Sequence, residues 1–539
     1  MSTPRFVQVA LPVPLPQLFD YLPPADGAMP AVGARVLVPL GRRRLVGVVV
    51  GQTGVSAVPA GRLLPVIEAL GEGEAVLDAG LLALLRWCWQ YYKHAPGEVV
   101  LGALPPALRN ATATVPEAPL QYDLTDAGRE RLQQPAGRAP VQHEMLAALA
   151  AGPRRADALE SIGRQWRQTL KALLEKGWVA GEPAPADQPC PVPGPTLTAD
   201  QDAAVAAVMA DINRFRCHLL DGVTGSGKTE VYLRLLESVL ENDGQALVLV
   251  PEIGLTPQLL RRFRTRLGLE PAVIHSGLAA GERLAAWAAA QSGRAGLVVG
   301  TRSALFTPLP RLQLIILDEE HDASFKQQDG FRYSARDVAV KRAAELQIPV
   351  VLGSATPSLE SLNNATEGRY AWHRLRERAT QAALPSWRVL DLRQQESVGG
   401  LAAAALDAIG DTLGRGEQAM VFLNRRGYAP VLMCQSCGWH GSCERCDANL
   451  TWHRSAGRLV CHHCGSQRRV PALCPDCRAD ALVGAGEGTQ QLEETLERRF
   501  PEVPILRFDR DATSRKGVLD QQIEEVRKGS PCLLVGTQM

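Results

Sequence analysis

The sequence predicts a multidomain α/β protein whose main body is a parallel sheet flanked by helices, with a small β-rich domain before it and a cysteine-rich insertion near its end. Three observations predict this. Beyond about residue 196, apolar runs (ALVLV, GLVVG, LIILD, PVVLG) alternate with amphipathic helical windows, the pattern of parallel strands joined by crossovers, whose ligands sit at the strands' carboxyl ends. A second alternation opens near Leu401 with QAMVFL and resumes with VPILRF and CLLVG. It is interrupted by eight of the 12 cysteines, Cys434 through Cys477.

Composition narrows the class. The chain's 539 residues exceed the roughly 250–300 that one core can serve, so several domains are expected. Fifty-eight basic residues against 57 acidic ones leave a net charge of +1, so any nucleic acid must be met by local patches. An apolar fraction of 46% and a charged fraction of 21% exclude a disordered chain. No apolar run approaches the ~18 residues of a membrane span, and prolines break MSTPRFVQVALPVPLPQ where a signal's apolar region would lie. A cytoplasmic, nucleoid-associated protein with no membrane partner is expected. Clustered cysteines then suit metal binding better than disulfides.

Taken in order, residues 1–110 carry short apolar runs punctuated by Pro and Gly (RVLVPLG, LVGVVVG), then a helix near 81–92, and read as a small β-rich domain. Residues 111–180 hold helical stretches at 141–150, 156–162 and 164–176 and a strand at Gly177-Trp178-Val179, a winged-helix pattern ending in a hairpin. Residues 181–195, GEPAPADQPCPVPGP, are a Pro-rich linker. Residues 196–385 form the first α/β lobe, and 386–539 a second with a metal-binding insertion at 434–480.

The strongest motif is Gly222-Val223-Thr224-Gly225-Ser226-Gly227-Lys228-Thr229, which follows an apolar strand (CHLLD) and opens an amphipathic helix. Glycines let backbone N–H groups curl round phosphates, Lys228 neutralises the outer phosphates, and the Thr229 hydroxyl reaches Mg²⁺. Only eight of the 58 basic residues are Lys, so a Lys at this position is not a product of composition. Downstream, LIILDEEHD places Asp318 and Glu319 at the end of an apolar strand, where one carboxylate holds Mg²⁺ through water and its neighbour orients and deprotonates the attacking water. Pro251-Glu252, Gly300-Thr301-Arg302 and GSATPS from Gly353 stand at other strand ends, where hydroxyls and amides grip a nucleic-acid backbone.

This series looks like that of a superfamily 2 helicase, and the chain resembles the PriA (primosomal protein N′) family of replication-restart DNA helicases. The resemblance is carried by LPVPLPQLFDYLPP, DGVTGSGKTEVYL, VPEIGLTPQ, HSGL, GTRSALFTPL, DEEHDASFKQQDGFRYSARD, GSATPSLES, FLNRRGY, the cysteines and VGTQM. It implies two RecA-like P-loop lobes, a 3′-to-5′ helicase driven by ATP and Mg²⁺, and partners comprising branched and single-stranded DNA, primosome proteins, single-stranded DNA-binding protein and the replicative helicase with its loader. It implies that Gln201 contacts adenine and that residues 324–336 form an aromatic-rich loop coupling DNA to hydrolysis. There Phe331 and Tyr333 would stack on bases while Lys326, Arg332 and Arg336 meet phosphates.

Four Cys-x-x-Cys hooks indicate two structural Zn²⁺ sites. Five residues separate Cys437 from Cys443 and 14 separate Cys446 from Cys461, so the inner hooks close on each other: Cys443, Cys446, Cys461 and Cys464 nest within Cys434, Cys437, Cys474 and Cys477. The resemblance implies the same nesting, and a crossed arrangement is also sterically open. His440, His453, His462 and His463 are left outside the ligand sets. Phe19-Asp20-Tyr21 before two prolines reads from chemistry alone as a packed turn. The resemblance makes it, with Gly33 and Arg62, a pocket for a DNA 3′ terminus. Arg42-Arg43-Arg44 is a basic run for phosphates.

The chain stops at Met539, where the family continues through a Gly-Arg-Ala-Gly-Arg-type segment, and it carries Gly488-Thr489-Gln490 where the family usually has Gly-Thr-Glu. The expectation is therefore an incomplete second lobe with CLLVG near an unpaired edge, and ATP hydrolysis and unwinding well below those of a complete member. The rival readings are a non-catalytic fork-binding scaffold and a double-strand DNA translocase.

Overall fold

The computed structural model describes residues 6–25, 28–116, 120–135, 140–155, 157–162, 166–183, 191–251, 257–378, 385–391, 397–398, 401–422, 431–446, 448–453, 457–461, 464–485, 489–508 and 518–536. The chain divides into two compact units, Met1–Ala382 and Ala383–Met539. Glu252, the 423–428 part of FLNRRGY, His462, His463, Gly488 and the last three residues lie outside the described residues.

The first unit opens with an antiparallel five-stranded sheet in the order Phe19–Tyr21, Phe6–Ala10, Arg43–Thr53, Ala34–Leu40, Glu68–Ala75. Alternation sends Val7, Val9, Val36, Val38 and Val49 to one face, where Tyr21 joins them. Phe19-Asp20-Tyr21 is thus a strand rather than a turn, because Val7, Gln8 and Val9 offer it a ladder partner. Helix α1 (Ala79–Tyr91) follows; the Asp78 carboxylate accepts from Leu81 N at 2.8 Å, and Leu81, Leu82, Leu84, Leu85 and Cys88 are buried.

Residues 120–183 form a small three-stranded sheet, order Arg154–Arg155, Leu120–Leu124, Val179–Pro183, with helices Asp126–Leu132, Pro140–Ala150 and Trp166–Glu175. The first and last strands pair antiparallel, so the segment's two ends meet where a terminal hairpin was expected. The expected helix at 156–162 is a short 3₁₀ helix, Asp157–Ile162.

The main sheet has seven parallel strands: β1 (Cys217–Gly222), β2 (Gln245–Leu249), β3 (Ala272–Ile274), β4 (Leu297–Gly300), β5 (Leu312–Asp318), β6 (Val350–Ser354) and β7 (Ala371–Leu375), in the order β3-β4-β2-β5-β6-β1-β7. The inner strands are mainly apolar runs because helices cover both faces, while the edge strand β7, AWHRL, carries His373 and Arg374. Leu219, Leu247, Leu249, Val298, Ile315, Leu317 and Leu352 pack on one face, and Leu220, Ala246, Val248, Leu297, Val299, Leu314 and Ile316 on the other. Helix α2 (Lys228–Glu241) follows β1, while α3 (Ala335–Leu346) and α4 (Leu359–Thr366) flank β6. The first of these cores also contains Val48, Val50, Leu81, Leu85 and Cys88, so the N-terminal sheet, α1 and the main sheet share one apolar interior.

In the second unit, helix Ala403–Gly414 precedes a parallel sheet ordered Ala419–Phe422, Leu533–Gly536, Ile505–Phe508. The CLLVG strand is therefore central and not near an edge: Leu533 pairs with both Ala419 and Ile505. The cysteine-rich insertion is a five-stranded antiparallel sheet, Gln467–Arg469, Arg458–Val460, Thr451–His453, Val431–Cys434, Leu482–Ala485. Among the described residues, no helix is long and apolar enough to cross a membrane.

Candidate functional site

Register builds the centre. Ser354 of β6 stands beside Asp221 of β1, and Asp318 of β5 beside Gly353 of β6, so three adjacent strands end together. From β1 the chain turns through residues 222–229. Gly225 and Gly227 take φ of 83° and 82°, left-handed values that glycine adopts without strain. A Cβ on Gly222 would stand 2.5 Å from Ser226 Oγ. Val223, Thr224 and Gly225 are exposed at the tip, while Ser226 is buried. Gly227 caps α2 and brings no side chain to its first amides, which leaves a helix N-terminus suited to phosphate. Lys228 Nζ donates to Gly222 O at 2.9 Å and lies 3.8 Å from Glu319 Oε1. Thr229 is half-buried in the first turn of α2.

Across the strand ends, Asp318 accepts from Tyr232 Oη at 3.0 Å and from Glu319 N at 3.1 Å. Burial, and then the neighbouring Glu319, raise its pKa above the ordinary carboxylate value. Glu319 sits at φ 49°, a left-handed conformation that a non-glycine residue enters at a cost of roughly 1–3 kcal/mol. The turn aims Glu319 at Lys228 and, at 3.5 Å, at His321. His321 in turn meets Ser354 Oγ at 2.7 Å and Thr356 Oγ1 at 3.4 Å. Asp318, Glu319 and Lys228 thus stand together at the ends of β1 and β5.

Gln201 is held at both ends of its side-chain amide. Its amide oxygen accepts from Thr198 N at 2.9 Å, closing a capping box on helix Ala199–Ala210, and its nitrogen donates to Ser226 O at 2.8 Å. Buried to 4% exposure, it braces the phosphate loop from behind.

The aromatic-rich segment leaves β5 and returns to α3. Phe331 and Tyr333 stack at 4.7 Å, but Tyr333 is buried against Phe306, its hydroxyl donating to Arg302 O at 3.2 Å. Tyr333 therefore belongs to the core and offers no face to a base, because the apolar cluster under α3 claims it. Phe331 is half-buried, and Lys326 and Arg332 lie on the outer side. Arg336, expected at phosphates, donates instead to Glu320 Oε2 at 3.0 Å and Ser358 Oγ at 2.6 Å.

Sequence reasoning missed Tyr232 and Glu320. Buried Glu320 also accepts from Ser358 N at 2.7 Å and Ser361 Oγ at 3.0 Å, tying β5, α3 and α4 together. Its signal was available: a third acid, after two with chemical roles, that the apolar strand end must bury. Tyr232 carried none, since a tyrosine in the apolar stripe of α2 reads as packing.

In the N-terminal sheet, Asp20 accepts from Ser56 Oγ at 2.6 Å and Gln8 Nε2 at 3.3 Å, and the buried Tyr21 donates to Pro39 O at 2.9 Å. Phe19 stays half-buried beside them. Leu22 bridges to Pro65, which draws the turn carrying exposed Arg62 to the end of the Phe19–Tyr21 strand. Gly33, at φ 97°, has Leu77 O only 2.0 Å from any Cβ, so it shapes the sheet. Arg42, Arg43 and Arg44 are exposed on a hairpin.

The cysteines gather as two sets, Cys434, Cys437, Cys474, Cys477 and Cys443, Cys446, Cys461, Cys464, with the sulfurs of each set within 4.8 Å of one another. Cross-hook S···S distances of 3.5–3.6 Å fit four thiolates around a tetrahedral Zn²⁺ with bonds of about 2.3 Å. The nested pairing is the one present.

Comparison with known proteins agrees with this layout. Residues 8–105 match the 3′DNA-binding domain (3′BD) of PriA, residues 198–365 the DEAD/DEAH box helicase family, and residues 443–469 the PriA DNA helicase Cys-rich region. The chain is 41% identical to the replication restart protein PriA of Haemophilus influenzae, with 99% of this chain and 74% of the relative covered. For Treponema pallidum PriA the identity is 34%, over 99% and 71%. For Bacillus subtilis PriA it is 42%, over 64% of this chain and 43% of the relative. With an N-terminal sheet that matches the 3′DNA-binding domain, a RecA-like parallel sheet and paired cysteine sets in the family's order, the chain belongs to the PriA family of replication restart proteins.

Proposed function

We propose that this chain is an ATP-dependent 3′-to-5′ DNA helicase that recognises stalled or branched forks and initiates primosome assembly to reload the replicative helicase. One observation carries the reading: the 222–229 loop, Lys228, Asp318 and Glu319 converge at the ends of β1, β5 and β6, and the aromatic-rich loop leaves that same strand end. The free amides at the start of α2 would take the phosphates of ATP, with Lys228 on the outer ones. Thr229 and Asp318 would hold Mg²⁺, which supplies charge neutralisation on the transferring phosphoryl group. Glu319 orients a water and accepts its proton, and the strained turn at φ 49° holds it 3.8 Å from Lys228 until ATP competes for the lysine. Gln201 supports the loop. Phe331, Lys326 and Arg332 offer an aromatic face and cations to a single strand.

The Asp20 carboxylate beside Phe19 suits a free 3′-hydroxyl, the chemistry by which a terminus differs from a continuing strand. Two Zn²⁺ ions, with every coordination position filled by thiolate, serve as scaffold for an interaction module. Primosome proteins, single-stranded DNA-binding protein and the helicase loader enter as partners through family membership. Lys228→Ala should lower DNA-stimulated ATP hydrolysis by at least ~100-fold while leaving fork affinity within about twofold. Hydrolysis and strand displacement are to be measured beside anisotropy on forked DNA. Joint loss of fork binding and hydrolysis would refute this division of labour.

A further inference from the structure

The aromatic-rich loop is closed at its base by an antiparallel bridge between Lys326 and Ser334, by Gln327 N donating to Tyr333 O at 2.9 Å and by Lys326 Nζ donating to Arg332 O at 3.2 Å. Against that base stands a residue from another part of the fold. Tyr92, the C-terminal cap of α1, accepts from Ser334 N at 3.2 Å. Its ring meets Phe331 edge-on at 5.7 Å and lies under the Lys326 ammonium at 5.5 Å. His94, two residues on, tilts against Phe331 at 5.5 Å. Burial pushes the Tyr92 hydroxyl up to about 12, so it stays protonated.

Ser334 is also the N-cap of α3, its hydroxyl accepting from Asp337 N at 3.3 Å. The end of α1 and the start of α3 therefore meet on one tyrosine hydroxyl. Behind them the apolar core is continuous: Leu81, Leu85 and Cys88 of α1 pack with Val48 and Val50 of the N-terminal sheet and with Val338 and Ala339 of α3. Interiors packed at this density transmit displacement instead of absorbing it.

We propose that Tyr92 is a positioning residue through which the N-terminal DNA-binding domain sets the conformation of the aromatic-rich loop, and so tunes the loop's grip on single-stranded DNA. The inference rests on the reading of that loop as a DNA contact. It adds a mechanical link from the sheet holding Phe19-Asp20-Tyr21 to the loop that follows Asp318.

The test uses the full chain with Tyr92→Phe, Tyr92→Ala and, as a control, Leu346→Ala at the exposed far end of α3. Hydrogen exchange is followed over residues 324–336, and oligothymidylate binding and DNA-stimulated ATP hydrolysis are titrated. In Tyr92→Ala, loop exchange should accelerate and the half-saturating oligothymidylate concentration rise about fivefold, the worth of one hydrogen bond plus one edge-to-face pair, with the rate at saturating DNA falling less than twofold. Tyr92→Phe, which keeps the ring, should recover part of the affinity. Leu346→Ala should match the parent. Loop exchange and half-saturation unchanged in Tyr92→Ala would overturn the proposal, as would an equal shift in Leu346→Ala. A parent chain that hydrolyses no ATP would count against the helicase reading alone, since exchange and binding still decide this one.

Discussion

Gly353 has no room for a methyl group. A Cβ there would lie 1.6 Å from the Tyr232 hydroxyl, the group that donates to Asp318 at 3.0 Å. Gly353→Ala must push Tyr232 aside and loosen Asp318, at an overpacking cost of about 1–3 kcal/mol. In a Tyr232→Phe background, where the obstructing oxygen is gone, the same change should cost less, and a double-mutant cycle by urea unfolding measures the difference. Strictly additive costs would show that the oxygen is not the obstacle. A second residue-scale prediction concerns His218 and His373, which stack at 5.3 Å with Nδ1 of the first 3.0 Å from Nε2 of the second. Burial, then the charge of His373, lowers His218 to about 4; Arg216 and Arg214 push the same way, and Asp211 opposes them. The folded value lies below the ordinary 6.5, so this contribution to stability is complete above 6.5 and is lost as pH falls toward 4. The slope should be about 1.4 kcal/mol per pH unit for one proton. His218→Phe should flatten it between neutral pH and about pH 5 in denaturant titrations. An unaltered slope would assign the titration elsewhere.

At the scale of an element, the cysteine-rich sheet is too small to hold itself together. Its apolar cluster is Leu432, Leu450 and Leu459 with Cys443 and Cys461, so two of five core members are themselves metal donors. Metal binding then supplies folding free energy, on the order of 10–16 kcal/mol for a structural zinc. Elemental analysis should find two zinc ions per chain. Stripping them with a strong chelator should abolish amide protection over the sheet from Val431 to Ala485 while the first unit melts as before; protection that survives chelation would reject zinc as the organiser. The short five-residue spacer favoured the nested pairing over a crossed one, and the gathered sulfurs of the folded sheet decide between them. The hooks' order along the sheet was not, since register depends on which strands find each other.

For the whole molecule, the decisive feature is the core that Val48, Leu85, Ile315 and Val338 share. A chain ending at Ala382 keeps every member of that core. Residues 1–382 expressed alone should therefore unfold in one cooperative thermal transition and bind ATP with the affinity of the full chain, read by calorimetry and a fluorescent nucleotide. A broad, non-cooperative melt would show that the first unit depends on the second.

Local patterning in the chain was enough for the parallel α/β class, the phosphate loop, the acids at the end of β5 and the four Cys-x-x-Cys hooks. Each of these is written locally, as an apolar run, a glycine spacing or a hook, and local chemistry needs no partner to be recognised. Only the tertiary structure decided that Phe19-Asp20-Tyr21 is a strand, that Leu533–Gly536 is central, and that Tyr333 and Arg336 turn inward to Phe306 and Glu320. It also decided that Gln201 braces Ser226 and that Tyr92 meets Ser334 across 242 positions of chain. The physical reason is common to all of them. Whether an aromatic, an amide or a guanidinium faces solvent or a buried partner depends on which distant segments pack against it, and their desolvation and hydrogen bonds are settled only when the chain closes.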